Sequence, residues 1–331
     1  MEKNRNTIRR MKHLSEFLCI CAACALLHAP DAVGKDRTQR PVRIGLSWTG
    51  SSVNTKLKAA IEATGAECVE LGQVRLSSLE YDGVKLSECC VEPSGILKGV
   101  CADAVKKCCR RGMKGSNVKE IMKDVDAVLF SGGADISPTL YDMPMPVMNN
   151  GESFNATRDV SDYILMKYCI ARNIPVVGIC RGMQMVGVSS GAGMIQHIPF
   201  QGVHRRLDSS MPLTRHDIIL VPGTKAQAMF GRDTLFAITS THHQAVVPVR
   251  VNHAHIEASA KGRTPALVQS GYFTSNGVEI CEIIERTDKT YFFGMQAHPE
   301  WAYSDRGTDE DRFVCNVLIG GLCKAAAARK K

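Results

Sequence analysis

The stretch Pro175-Val176-Val177-Gly178-Ile179-Cys180-Arg181-Gly182-Met183-Gln184 decides the reading of this chain. β-Favouring apolar residues run into Gly178, then Cys180, then Gly182, and a helix-compatible segment follows. Gly-x-Cys-x-Gly after a buried-type strand is the cysteine form of a nucleophile elbow, a sharp strand-to-helix turn that holds the reactive residue above the sheet. The flanking glycines are required because a Cβ at either position crowds the turn. The helix that follows aims free N–H groups and its positive dipole end at the sulfur, which favours thiolate over thiol. Most cysteines are only packing residues, so the reading needs support from the rest of the chain.

A thiol nucleophile needs a base, and the base needs a third group to fix its ring. Near the C-terminus, Tyr291-Phe292-Phe293-Gly294-Met295-Gln296 reads as a strand ending in Ala297-His298-Pro299-Glu300. His298 and Glu300 share one direction if the backbone stays extended, which Pro299 favours. His298 is then the expected base and Glu300 its orienting carboxylate, with His242 and His243 as competing histidines. Earlier, Asp126 to Phe130 is a buried strand that empties into Ser131-Gly132-Gly133. In open α/β sheets ligands bind beyond the carboxyl ends of the strands, so a double glycine there can turn backbone N–H groups toward a substrate. Read by itself, it is equally an ordinary tight turn.

Around these motifs the chain opens β-α-β, with strands at Val42–Ser47 and Glu67–Leu71 and a helix at Lys56–Ala63, the pattern of a parallel sheet. Residues 74 to 116 break the rhythm with glycine, serine, cysteines and a basic cluster, and read as an insertion on the surface. Short helices are expected at Val118–Val125 and Ser161–Ala171. Asp217–Val221, Leu235–Thr239, Ile256–Ala260 and Val278–Ile284 read as antiparallel strands, and Arg312–Leu322 as a closing helix. The expected fold is α/β, a flavodoxin-like mixed and mostly parallel sheet flanked by helices, with a smaller antiparallel region. One domain over residues 42 to 323 accommodates it, followed by a basic tail at 324 to 331.

Composition is ordinary for a soluble globular chain of 331 residues, with 44% hydrophobic and 22% charged residues. The net charge of +8 lies partly at the ends and is not interleaved with aromatics, so no nucleic-acid partner is expected. Residues 1 to 34 read as a leader, a basic front before the apolar run Phe17 to Leu27, which favours export over a cytoplasmic location. Cys89, Cys90, Cys101, Cys108 and Cys109 crowd together among 14 cysteines, and disulfides there are conceivable in an oxidising compartment. Their vicinal spacing and the lack of histidine argue against zinc among them.

The ordered series Gly132-Gly133-x-Asp135-Ile136-x-Pro138-x-x-Tyr141, Arg158-Asp159, Gly178-Ile179-Cys180-Arg181-Gly182-Met183-Gln184, Gln196-x-Ile198-Pro199, His204-Arg205, His216-x-Ile218, Ser240-x-His242-His243-Gln244-Ala245-Val246 and Gln296-x-His298-Pro299-Glu300 resembles the class I glutamine amidotransferase superfamily. The closest resemblance is to the stand-alone γ-glutamyl-γ-aminobutyrate hydrolase-like (C26-type) cysteine peptidases. It implies a Cys180–His298–Glu300 triad and an oxyanion hole from the backbone of Gly132, Gly133 and Arg181. It also implies glutamyl contacts from Met183, Gln184, His242, His243 and Gln244. The chain departs from the family at Ala297, where tryptophan is common, at Thr239, where asparagine is, and at Asp162, where glutamate is.

The implied activity is cleavage of the γ-glutamyl amide of a small γ-glutamyl compound through a thioester, with no cofactor and no metal. The alternatives are a glutaminase subunit feeding ammonia to a separate synthase, a folate poly-γ-glutamate hydrolase, and a non-catalytic binding protein on the same scaffold. No phosphate-cradling glycine loop is present, so no synthase domain is read in this chain, and a homodimer stays open.

Overall fold

The computed structural model describes residues 40–48, 52–146, 153–208, 210–247 and 266–330. The leader and the expected strand Ile256–Ala260 lie outside them. Pro41–Lys331 is one compact unit. Its strands are β1 (Arg43–Ser47), β2 (Glu67–Glu70), β3 (Tyr81–Asp82), β4 (Lys85–Leu86), β5 (Ala127–Phe130), β6 (Val176–Ile179), β7 (Met194–Ile195), β8 (Thr214–Leu220), β9 (Thr234–Ser240), β10 (Ala245–Val246), β11 (Leu267–Ser275), β12 (Val278–Arg286) and β13 (Phe292–Met295). Nine of them form one sheet in the order β2-β1-β5-β6-β13-β12-β11-β8-β9. Pairing is parallel from β2 through β13 and antiparallel from there to β9. The parallel and antiparallel regions foreseen from the sequence are thus one mixed sheet.

The central strands are fully buried because both faces are covered. Side chains alternate across a strand, so Val128, Phe130 and Val176 enter one core, while Ala127, Leu129, Val177 and Ile179 enter the other. The first core receives Ile164 and Leu165 from the helix Ala156–Arg172 and Met183 and Val186 from the helix Arg181–Ser189. The second receives Leu57 from the helix Ser52–Glu62 and Leu318 and Leu322 from Asp309–Lys330. The helix Ala156–Arg172 begins where the Asn155 side chain accepts the Arg158 N–H and ends at Asn173 in the left-handed conformation, two standard terminators.

Residues 74 to 116 are not a surface attachment. They carry a helix, Gly99–Arg110, whose Cys101, Ala102, Val105, Cys108 and Cys109 are buried in the first core. Side chains tie the segment down: the Val74, Leu86 and Leu97 N–H groups donate to Ser161, Thr157 and Ser137 hydroxyls, each at 2.9 Å. Every described cysteine is a free thiol. Among the described residues no helix is long and apolar enough to cross a membrane.

A buried quartet of charges fixes the helix carrying Cys180's neighbours. Arg181 donates to Asp159 at 2.5 Å and to Asp162 at 2.6 Å, and Arg158 donates to Asp162 at 3.1 Å. None of the four is more than 5% exposed. Burial pushes Arg158 down to about 10, with the like charge of Arg181 adding to it, so it stays cationic at neutral pH. Two cationic and two acidic side chains compensate one another's charge in the interior, while burial pushes Asp159 above the usual carboxylate range.

Two stability experiments follow from this packing. Arg181→Met leaves Asp159 without its cation and is expected to cost about 3–5 kcal/mol in urea unfolding, part of which Asp159→Asn in the same chain should recover. In the C-terminal helix, a Cβ at Gly320 meets nothing, whereas one at Gly321 overlaps the Tyr291 hydroxyl, itself anchored to the Leu318 carbonyl at 2.6 Å. Gly320→Ala should therefore stabilise by about 0.5–1 kcal/mol, and Gly321→Ala should lower the melting temperature.

Candidate functional site

Cys180 sits between β6 and the helix Arg181–Ser189 with φ 51° and ψ −109°. That conformation is costly for a residue with a side chain, and both neighbouring elements enforce it. Its N–H continues the sheet by donating to the Met295 carbonyl at 2.7 Å, while its own carbonyl accepts the Gln184 N–H at 3.1 Å and starts the helix. A Cβ at Gly178 would overlap the backbone of Gly182, and one at Gly182 would overlap the Phe130 carbonyl. The turn closes only with glycine at both places.

The end of β13 delivers the histidine. The Gln296 N–H donates to the Glu282 carbonyl at 2.8 Å and the His298 N–H to the Thr239 carbonyl at 2.7 Å. The Thr239 N–H and hydroxyl are in turn fixed by Asp311, at 3.0 and 2.8 Å. After His298 the backbone does not stay extended, contrary to the sequence expectation. Pro299 opens a 3-10 turn over Pro299–Tyr303, a position where its fixed φ and missing N–H are favourable. The turn still brings Glu300 back, and His298 Nδ1 donates to Glu300 Oε1 at 2.6 Å. Burial works against a charged His298, but the Glu300 carboxylate and then the Cys180 sulfur outweigh it and hold the imidazole well above its ordinary value.

Gly132 lies against both partners: a Cβ there would stand 3.0 Å from His298 Cε1 and 3.5 Å from Cys180 Cβ. Sequence reasoning had not given Arg158 a role at this turn. Its guanidinium donates to the carbonyls of Ser131 and Gly132, both at 2.8 Å. In a planar trans peptide the N–H opposes the C=O, so with the Gly132 oxygen held by Arg158, the Gly133 N–H points away from it. Gly133 has φ 140°, and a Cβ there would overlap Arg158. The second donor foreseen, the Arg181 N–H, is at the first turn of its helix, where N–H groups have no intrahelical acceptor.

The five residues expected to contact substrate diverge. Met183 is fully buried, packed over Gly294. The Gln184 amide lies 3.4 Å from both the Gln244 carbonyl and Gln296 Oε1, and Gln244 donates to the Gln196 carbonyl at 3.1 Å. His243 Nε2 meets Asp135 at 2.9 Å, tying its segment to the Gly132-Gly133 loop. His242 instead turns toward Glu282, with Nε2 3.4 Å from that carboxylate. A wide cleft lined by Trp48, Leu86, Phe154 and Asn155 does not include Cys180. The protonation geometry around Cys180, and not cavity size, therefore identifies the candidate site.

The chain is similar to several known proteins. Protein NtpR of Enterococcus hirae is 28% identical over 193 residues, 57% of this chain and 72% of that protein. The γ-glutamyl-γ-aminobutyrate hydrolase of Escherichia coli O157:H7 is 24% identical over 200 residues, 57% of this chain and 70% of that one. Among solved structures, the glutaminase domain of Trypanosoma brucei CTPS with bound acivicin aligns with TM-score 0.44 at 15% identity, covering 88% of this chain and 95% of that one. The Peptidase C26 family model matches residues 110–300, from the end of the cysteine-bearing helix to Glu300. The chain belongs to the Peptidase C26 family.

Proposed function

We propose that the protein hydrolyses the γ-glutamyl amide bond of a small γ-glutamyl compound, releasing glutamate and an amine. The observation that carries this reading is Cys180 held at positive φ beside a His298 whose Nδ1–H is given to Glu300. The γ-glutamyl class draws support from the similarity to γ-glutamyl-γ-aminobutyrate hydrolase.

In the proposed reaction the Cys180 thiolate attacks the γ-carbonyl carbon. The oxygen takes the developing negative charge and accepts hydrogen bonds from the N–H groups of Gly133 and Arg181. Such donors contribute about 3–4 kcal/mol each to transition-state stabilisation. As the tetrahedral adduct collapses, the C–N bond breaks and His298 Nε2–H protonates the leaving amine. Water then attacks the thioester while His298 takes its proton. Cleavage of the C–S bond frees glutamate and restores the thiolate–imidazolium pair. Glu300 fixes the ring so that Nε2 faces the sulfur and stabilises the imidazolium. Thiolate, base and oxyanion donors complete the chemistry without a cofactor or metal in the reacting groups.

The deciding measurement is glutamate release from γ-glutamyl-γ-aminobutyrate, γ-glutamyl-putrescine, glutamine and a poly-γ-glutamate. Release from a γ-glutamyl amine, abolished in Cys180→Ala, is expected. Silence on the whole panel while Cys180 still alkylates readily would overturn the substrate class, and release that survives Cys180→Ala would overturn the mechanism.

A second measurement addresses the base. Glu300→Gln is expected to lower kcat by about 10²–10⁴-fold with a small change in KM. Glu300 makes the larger favourable contribution to the raised His298 value, so the alkaline limb of kcat/KM should move to lower pH in this variant. The stability carried by charged His298 has the same sign: it is complete below the ordinary histidine value and lost as pH rises through the raised one.

A further inference from the structure

His204, His216, His242 and Glu282 meet in the interior, away from the reacting groups. They come from the loop after the 3-10 turn Gln201–Val203, from β8, from the segment after β9, and from the middle of β12. None is more than 6% exposed. Four donor atoms, one from each residue, lie within 4.8 Å of one another. His204 Nδ1, His216 Nε2 and His242 Nε2 stand 3.6, 3.5 and 3.4 Å from the same oxygen, Glu282 Oε1. None of these three nitrogens, nor either Glu282 oxygen, makes a hydrogen bond among the described residues. We infer that this cluster is a closed, structural site for one divalent transition metal of the zinc type, held by three imidazoles and one carboxylate.

Three features carry the assignment. Imidazolium–carboxylate hydrogen bonds are about 2.7–2.9 Å long, so three nitrogens converging on one oxygen from 3.4–3.6 Å are too far for direct bonds. Tetrahedral zinc with ligand bonds of about 2.0–2.1 Å separates its ligand atoms by roughly 3.3 Å, close to these spacings, with the widest pair drawing in on binding. The tautomers also agree. His216 Nδ1 lies 3.1 Å from the Asp217 carbonyl and His242 Nδ1 3.0 Å from the Gln244 carbonyl. A carbonyl only accepts, so each Nδ1 carries a proton, and in the neutral form of each ring the Nε2 lone pair is the one turned inward. Orienting metal-binding histidines through the other ring nitrogen is the usual outer-shell arrangement.

Nitrogen donors exclude a calcium- or magnesium-type ion. Phe273, stacked on His216 at 4.5 Å and edge-on to His204 at 5.5 Å, closes one wall with apolar surface. With four protein ligands and no exposed face, the ion has no open position for substrate and would act as a brace. It would join the His204 loop to two strands that also hold His298, through Gln296–Glu282 and His298–Thr239. The assignment takes His242 out of the substrate contacts that its motif suggested.

The test is metal content and cobalt spectroscopy of the full chain, purified from zinc-supplemented cells and dialysed against metal-free buffer. About one equivalent of zinc per chain should remain. Co²⁺ loaded in its place should give tetrahedral d–d absorption without a thiolate-to-cobalt band, which separates this site from the cysteines. His242→Ala and Glu282→Gln should each lose at least nine-tenths of the metal, while Cys180→Ala keeps it, so the inference stands or falls apart from the proposed reaction. If a variant does not fold, the wild-type cobalt spectrum decides alone. A wild-type chain that retains no metal and melts at the same temperature with or without added Zn²⁺ overturns the site. So does a thiolate band, or full retention in folded His242→Ala and Glu282→Gln.

Discussion

Cys180 uses its backbone N–H in the sheet and its carbonyl in the helix, and this double commitment is the constraint around which the molecule is arranged. A residue bonded in both directions cannot relax to negative φ without breaking either the β6–β13 edge or the first helical turn. The cost of positive φ, of order 1–3 kcal/mol, is therefore borne by two of the best-packed elements of the fold. Gly178, Gly182 and Gly294 are consequences of the same approach, since each lies where the helix and the strands beneath it nearly touch. Rigidity at the sulfur is obtained from the backbone, through the sheet on one side and the helix on the other.

The charge quartet extends that rigidity to the glycine turn. Arg158 reaches both the Ser131-Gly132 carbonyls and Asp162, and Asp162 also meets Arg181, the residue after Cys180. The turn across from the sulfur and the helix behind it are thereby referred to one rigid group. Ser137 enters the same network by donating to Asp159 at 2.5 Å, while its hydroxyl accepts the Leu97 N–H. The segment 74 to 116 is thus coupled to the interior through a serine and not only through apolar contact. Asp162, one methylene shorter than the glutamate usual in the family, still spans both arginines because the two guanidiniums converge on a single oxygen.

The parallel half of the sheet was legible in the sequence because β1, β5, β6 and β13 are short, predominantly apolar runs that end in turn or motif residues. The convergence of Cys180, His298 and Glu300 was legible because the chemistry proposed for them requires neighbours of particular types at strand ends. Two parts were not. The helix Gly99–Arg110 was hidden because Cys101, Cys108 and Cys109 drew attention to disulfide chemistry, when at these spacings cysteine serves as a small apolar residue on one helical face. Strand β11 was hidden by Gly271, which marks a bulge where register shifts against β12. The Asn276-Gly277 turn, with both residues at positive φ, was the available sign of that hairpin. The cluster at Glu282 could not be read at all. Its four residues are far apart in sequence, and only the antiparallel half of the sheet brings them together.

The cysteines used as packing have one more consequence. Cys169 and Cys281 are completely buried, and burial raises both thiols; Cys101 and Cys109 are pushed up to about 12. While the fold is closed they are shielded from solvent and held as thiols. Each becomes an ordinary thiol when its own region opens, so the chain carries reporters in both cores, with Cys315 in the second. The order in which they become reactive ranks the local openings of the sheet, its flanking helices and the 74 to 116 segment by free energy, a map of partial unfolding carried by the native side chains themselves.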